Sequence, residues 1–110
     1  MSRYLLLMRG DQSNFVNCSE EEQKNIIADY SQFADELDKN KKMIYGDGCS
    51  YQSTLLKGNE VINDPYVETE NQLSGFFIIE AENDEEAHEL AKQCPALKHG
   101  ESVEIVKLGH

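Results

Sequence analysis

Two short segments of the sequence are apolar at odd and even positions alike. They are residues 4–8 and residues 76–81, the second carrying a charge only at Glu80. Both are far too short to span a membrane and have the length of a β-strand. Because a strand with one face in water alternates apolar and polar residues, both faces of these two strands are expected to be covered.

Capping-box patterns indicate two helices. Ser19 is followed three positions later by Glu22, and Asn83 by Glu86, which is the spacing at which side chains satisfy the first N–H groups of a helix. An apolar stripe at helical spacing follows each cap. The stripes are Ile26, Ile27, Tyr30, Phe33, Ala34 and Leu37 in the first helix, and Ala87, Leu90, Ala91 and Cys94 in the second.

The order of these elements predicts a fold. Further strands are expected at 43–49 and 103–108, and Lys57-Gly58-Asn59 joins residues 54–56 and 60–62 in a hairpin. The result is an α+β, ferredoxin-like βαββαβ sandwich with an inserted β-hairpin, in one domain over residues 1–110. Residues 4–8 and 76–81 are then the central strands. Two helices cover one face of the sheet, so a second copy of the chain is predicted to cover the other.

The charge balance excludes several classes of partner. The chain has 21 acidic and 10 basic residues and a formal net charge of −11. Binding to a nucleic acid backbone or to anionic lipid needs clustered Lys and Arg, so we expect neither a nucleic acid nor a membrane partner. No signal-peptide pattern precedes the first strand.

Cysteine usage and motifs indicate a cytoplasmic protein without metal or cofactor. Cys18, Cys49 and Cys94 are an odd number with no Cys-x-x-Cys spacing, which is typical of free thiols in a reducing compartment. Cys49, in a glycine-rich stretch, is the best candidate for a reactive thiol. No phosphate loop, dinucleotide fingerprint or metal-binding motif is present in the sequence.

A family resemblance extends over nearly the whole chain. Residues 63–69 (Asn-Asp-Pro-Tyr-Val-Glu-Thr) and 73–80 (Leu-Ser-Gly-Phe-Phe-Ile-Ile-Glu) resemble the YCII-related, DGPF-type family. Further similar positions are residues 4–7, Tyr30, Phe33, Gly46, Cys94-Pro95, Gly100 and Val103-Glu104. The namesake Asp-Gly-Pro-Phe is altered here to Asn63-Asp64-Pro65-Tyr66, and Val106-Lys107 replaces a frequent Arg-Pro pair.

The resemblance implies a dimeric α/β barrel built from ferredoxin-like protomers. The wider barrel group includes lyases, dehalogenating enzymes and monooxygenases acting on small aromatic or polar molecules, together with ligand-binding modules. A more distant YCII branch carries a helix-borne catalytic His, but the first predicted helix here contains no His. That role cannot be transferred to this chain.

Acid–base chemistry has three candidates. His99 is the first, because imidazole is the side chain most often used as a general acid or base, and Asp64 with Glu68 offers two carboxylates near a proline turn, one of which can act as a base. The alternatives are a solvent-exposed His after a helix and an Asp64 that only bonds the local backbone. Tyr66, Tyr30 and Tyr45 are candidate ligand-binding residues, since each offers an apolar ring and a polar hydroxyl.

Two functions of different classes remain open. The first is a cofactor-independent, lyase-like enzyme acting on a small polar or aromatic molecule in a cleft at the dimer sheet, with His99, Asp64 and Glu68 as catalytic residues. The second is a non-catalytic small-ligand-binding or regulatory dimer. A pocket holding a desolvated His or carboxylate would favour the enzyme, and a pocket of Tyr and aliphatic residues the binding module.

Overall fold

A four-stranded antiparallel sheet forms the centre of the protein. The computed structural model describes residues 1–50, 52–66 and 69–109. The sheet has the order β2-β5-β1-β6, and a separate hairpin pairs β3 with β4. The strands are β1 (Ser2–Arg9), β2 (Met43–Gly48), β3 (Thr54–Lys57), β4 (Glu60–Asn63), β5 (Leu73–Ala81) and β6 (Ser102–Lys107). This order confirms the ferredoxin-like α+β fold with β1 and β5 at the centre and an inserted hairpin.

Two longer helices and two single-turn helices complete the described elements. They are α1 (Ser13–Val16), α2 (Glu20–Lys39), α3 (Asp84–Ala91) and α4 (Pro95–Lys98). Both predicted caps are confirmed: the Ser19 hydroxyl accepts from the Glu22 N–H at 3.1 Å, and Asn83 Oδ1 accepts from the Glu86 N–H at 2.8 Å. Within the described residues, no helix is both long enough and apolar enough to cross a membrane.

The sequence patterns did not predict α1 and α4. Cys94, expected on the apolar stripe of the second helix, lies beyond the end of α3 and is the N-cap of α4. Pro95 begins α4 rather than ending α3, since proline suits the first turn, where its missing N–H costs no hydrogen bond. This short helix places residues 98–101 beside α2.

The core lies between the helices and one face of the sheet. Alternate residues of the central strands point into it, and the helices supply the opposing layer. Its largest fully buried side chains are Tyr4, Leu6 and Ile79; Phe33 and Phe77 meet edge to face with their centroids 5.3 Å apart. Burial of one large apolar side chain stabilises the fold by roughly 1.5–3 kcal/mol.

Among the described elements, no helix packs against the other face of the sheet. Leu5 pairs with Ile78, and Leu7 with Phe76, in the antiparallel register of β1 and β5. These four side chains are half-buried. The ion pairs Arg3–Glu80 and Arg9–Glu104 lie at the two ends of this apolar patch. We call Leu5, Leu7, Phe76 and Ile78 the outer sheet patch.

Candidate functional site

A cavity of about 850 Å³ lies between α2 and the inner face of the sheet. Met8 and Gly75 line it at the end of the sheet where β1 ends and β5 begins, and Phe15 of α1 borders it. Glycine is required at one wall, because a Cβ at Gly75 would lie 2.9 Å from the Asp47 carbonyl oxygen and 3.0 Å from Met8 Cε. The cavity therefore sits beside the core, on the helix-covered side of the sheet.

An imidazole–carboxylate pair forms part of the cavity wall. His99 Nε2 lies 2.9 Å from Asp29 Oδ2, and Lys98 Nζ lies 3.2 Å from the same oxygen. The helix α2 supplies Asp29, and the end of α4 supplies Lys98 and His99. The His99 side chain is 22% exposed and that of Asp29 is 31% exposed, so water reaches both groups but does not surround them.

The environment of Asp29 favours its ionised form. Hydrogen bonds from His99 and then Lys98 hold the pKa of the Asp29 carboxyl below its ordinary value, while partial burial opposes that shift. An ionised carboxylate only accepts, so in the neutral imidazole the proton resides on Nε2 and Nδ1 keeps a lone pair. Such a pair can accept a proton from a bound molecule at Nδ1.

Glu101 collects a second set of hydrogen bonds in the cavity. Its Oε1 accepts from the Tyr30 hydroxyl at 3.0 Å and from the Ser74 hydroxyl at 3.1 Å. Its Oε2 accepts from Gln12 Nε2 at 2.6 Å. These donors come from α2, β5 and the loop after β1, so one carboxylate ties three parts of the chain together.

Tyr30 lies in the cavity wall between Glu101, to which its hydroxyl donates, and the His99–Asp29 pair. Its ring centroid is 6.5 Å from that of His99. Burial, followed by the charge of Glu101 and the hydrogen bond to it, raises the pKa of the Tyr30 phenol far above its ordinary value. Tyr30 is therefore neutral at every physiological pH, and it was correctly expected on the helix stripe.

Two of the three thiols, those of Cys49 and Cys94, are poor nucleophiles at neutral pH. Cys49 lines the cavity, and burial, together with the nearby Asp47 charge, raises its pKa. Burial raises the pKa of Cys94 to about 11. Since the thiolate is the nucleophile, neither residue is suited to attack a substrate. All three cysteines are free.

Of the candidate residues named from the sequence, the structure places two in the cavity wall. His99 and Tyr30 line the cavity. Tyr45 lies on the other side of the sheet, where its ring is 5.9 Å from that of Phe76. Among the described residues, Asp64 and Tyr66 are not in the cavity wall, and Glu68 lies outside the residues that the structure describes.

Asp64 has a structural role at the base of the β3–β4 hairpin. Its Oδ1 accepts from the Ser53 N–H at 2.9 Å, and its own N–H donates to the Ser53 carbonyl at 2.7 Å. Its φ of 50° lies in the left-handed region that Asp and Asn tolerate. The catalytic role of Asp64 and the ligand-binding role of Tyr66 stay predictions that depend on a neighbouring protomer.

Sequence reasoning missed Asp29 and Glu101. A signal existed for Asp29: it follows Ile26 by three positions and precedes Phe33 by four, so it lies on the apolar stripe of α2, where a carboxylate needs a partner. No comparable pattern marks Glu101. Among the described residues, no group of three or more His, Cys, Asp or Glu is arranged to hold a metal ion.

Together these features define a ferredoxin-like α+β protein with a His–Asp pair in a cavity beneath its long helix. The chain belongs to the YCII-related domain family, whose model matches residues 2–108. The resemblance seen in the sequence is thereby confirmed at the level of that family. A comparison with curated proteins finds no match.

A solved structure is similar over almost the whole length. It is 5-chloro-2-hydroxyhydroquinone dehydrochlorinase (TftG) from Burkholderia phenoliruptrix AC1100, in complex with 2,5-dihydroxybenzoquinone. The TM-score is 0.60 and the identity 16%, over 98% of this chain and 94% of that chain. At this identity the likeness shows the fold.

Proposed function

We propose that the protein is a lyase-like enzyme that removes a proton from a small polar or aromatic molecule bound in the cavity, without a cofactor. The observation that carries the proposal is the His99–Asp29 pair, whose 2.9 Å contact fixes one imidazole nitrogen and leaves the other for a ligand. A half-buried imidazole held by a carboxylate is the usual arrangement of a general base. A purely ligand-binding cavity needs no such pair.

The step assigned to His99 is proton abstraction in an elimination. Nδ1 takes a proton from a hydroxyl group of the keto tautomer of the substrate, and the electrons of that O–H bond form a carbonyl. The adjacent double bond shifts toward the sp³ carbon that bears the leaving group, which departs with its own bonding pair. Lys98, the cation beside His99 in the wall, favours negative charge developing on the departing group. The dehydrochlorinase activity named for the similar structure is of this reaction class.

The proposal includes a homodimer formed through the outer sheet patch. Four large apolar side chains on an uncovered sheet face are the mark of an interface, and a two-fold pairing brings identical patches together. The patch faces away from the cavity, so each protomer retains its own His99–Asp29 pair. We place the dimer in the cytoplasm, because its three cysteines are free thiols.

A panel of halogenated hydroquinones tests the proposed reaction. Purified protein is mixed with each compound, and halide release and quinone absorbance are followed with time. Wild type is compared with His99→Gln and, as a matched control, with His88→Gln on the exposed surface of α3. We expect turnover to fall by about 10²-fold or more in His99→Gln only.

Two results would contradict the proposed enzymatic function. One is equal turnover in wild type and His99→Gln, which would remove the base from the mechanism. The other is saturable binding of several compounds with no turnover of any, which would leave the ligand-binding dimer as the function.

A further inference from the structure

The Glu101 carboxylate lies in the cavity wall, and among the described residues no cationic side chain is paired with it. Its three donors, Tyr30, Ser74 and Gln12, are neutral side chains. The ion pairs found among the described residues do not include Glu101. Hydrogen bonds from neutral donors hold a carboxylate in place but leave its charge uncancelled.

Packing fixes the position of this carboxylate. A Cβ at Gly10 would lie 2.6 Å from Glu101 Cγ and 2.8 Å from Oε2, so the side chain lies directly against the backbone after β1. The Glu101 N–H donates to the Ala96 carbonyl at 2.8 Å, which holds the residue to α4. The carboxylate therefore cannot swing away to admit a ligand of like charge.

One hydrogen-bonding position of Glu101 remains for a ligand. A carboxylate oxygen has about two lone-pair positions. Oε1 accepts from Tyr30 and lies 3.1 Å from the Ser74 hydroxyl, which is also 3.3 Å from the Met8 carbonyl oxygen, whereas Oε2 accepts one hydrogen bond, from Gln12. A hydroxyl or ammonium group of a bound molecule can donate to Oε2, and a carboxylate group cannot.

The described part of the cavity wall carries more acidic than basic side chains. Among the described residues, one lysine, Lys98, lines the cavity, and it is already paired with Asp29 at 3.2 Å. The lining carboxylates are Asp11, Glu22, Asp29, Asp47 and Glu101. In a partly enclosed space these charges interact with a ligand more strongly than they would in water.

We propose that Glu101 is the specificity-determining residue of the cavity: it selects neutral hydroxylated or cationic small molecules and rejects carboxylates of the same size. The proposal rests on the cavity being the site of the proposed function and adds the charge class of its ligand. It does not depend on catalysis, because rejection of an anion is a property of binding.

A pair of ring compounds that differ at one position tests this selectivity. Resorcinol carries a hydroxyl where 3-hydroxybenzoate carries a carboxylate. Dissociation constants of both are measured by calorimetry for wild type, Glu101→Gln and Glu36→Gln, the last removing one charge from the exposed surface of α2. We expect wild type and Glu36→Gln to prefer resorcinol, and Glu101→Gln to shift the ratio toward 3-hydroxybenzoate by about three- to tenfold.

Salt supplies a second measurement that needs no variant. Raising sodium chloride from about 0.01 M to 0.15 M shortens the screening length from about 30 Å to 8 Å, so the preference of the wild type for resorcinol should decrease. A ratio unchanged in Glu101→Gln and in salt, a wild type that prefers 3-hydroxybenzoate, or no binding of either compound at its solubility limit would overturn the proposal. If the protein prefers resorcinol but turns over no hydroquinone, the selective role of Glu101 is retained and the proposed enzymatic function is rejected.

Discussion

His99 Nε2 and Asp29 Oδ2 lie 2.9 Å apart although 70 positions separate the two residues in the chain. Helix α2 carries Asp29 on its core-facing side, and the turn after α4 carries His99, whose N–H bonds back to the carbonyls of Pro95 and Ala96. Each partner is therefore held by its own backbone, and the pair is formed before any ligand arrives. Preorganisation of this kind is what a general base requires.

The pKa of Asp29 should depend on His99. Hydrogen bonds from His99, first, and from Lys98 lower that pKa, so His99→Gln should move it up toward the ordinary value of about 3.9. A carboxyl whose pKa is lowered by folding stabilises the fold above the unfolded-state value, and that stability is lost as the pH falls through the folded-state value. Carboxyl NMR titration and urea unfolding between about pH 2 and 6 measure both effects.

His88→Gln is the control for this titration, since His88 lies exposed on α3. It should leave the pKa of Asp29 where it is in the wild type. An Asp29 pKa that is equal in the wild type and in His99→Gln would show that the contact does not persist in solution.

Tyr30 should make the fold sensitive to alkaline pH. Its pKa is raised by burial and by Glu101, so above the ordinary value of about 10 the unfolded chain loses a proton that the folded chain keeps. The stabilising contribution is complete below that pH and is lost above it. Tyr30→Phe should cost about 0.5–1.5 kcal/mol at pH 7, and its difference from wild type should shrink above pH 10. Urea unfolding from pH 7 to 11 measures the difference, and a constant value would contradict the assignment.

Gly46 should tolerate no side chain. A Cβ there would overlap the ring of Phe77, which packs edge to face on Phe33, so Gly46→Ala should destabilise the protein by about 1–3 kcal/mol. At Gly48, in the same strand, the nearest atom to a Cβ would be the Ser74 carbonyl oxygen at 3.9 Å. Gly48→Ala is the control and should change stability by less than about 0.5 kcal/mol. Equal losses in urea unfolding would mean that the ring of Phe77 moves aside.

The sequence predicted the elements of the fold better than the contacts of the cavity. Local signals define the elements, such as the caps at Ser19 and Asn83, and the order of strands and helices leaves few ways to arrange the sheet. His99 was found because imidazole chemistry is recognisable in any sequence. Its partner Asp29 was not identified from the sequence, since which carboxylate reaches an imidazole depends on how α2 and α4 meet. Residues distant in sequence meet only through packing, and that information is not local.

The outer sheet patch predicts the oligomeric state. If it forms a two-fold interface of more than about 1,000 Å², the wild type should have a dimer mass by light scattering at micromolar concentration. Leu7→Lys places a charge in the middle of the patch and should give a monomer. Leu97→Lys, at an exposed position of α4, is the control and should stay dimeric. A monomeric wild type would refute the dimer.

Excess negative charge should make stability depend on salt. Of the 21 acidic residues, six described carboxylates take part in ion pairs, namely Asp29, Glu80, Asp84, Glu86, Glu89 and Glu104. The surplus repels itself, and salt screens that repulsion. If raising sodium chloride from about 0.01 M to 0.15 M at pH 7 increases the free energy of unfolding by about 1 kcal/mol, Tm should rise by about 4–8 °C.

A charge-reversal variant distinguishes screening from other effects of salt. Glu36→Lys, near the C-terminus of α2, reduces the net negative charge and places a cation where the helix dipole favours one. Its Tm at low salt should exceed that of the wild type, and its rise with salt should be smaller. A Tm that is flat or falls with salt in the wild type would mean that the carboxylates are compensated by contacts outside these seven ion pairs. An equal rise in both proteins would assign the effect to the ions rather than to the charge of the protein.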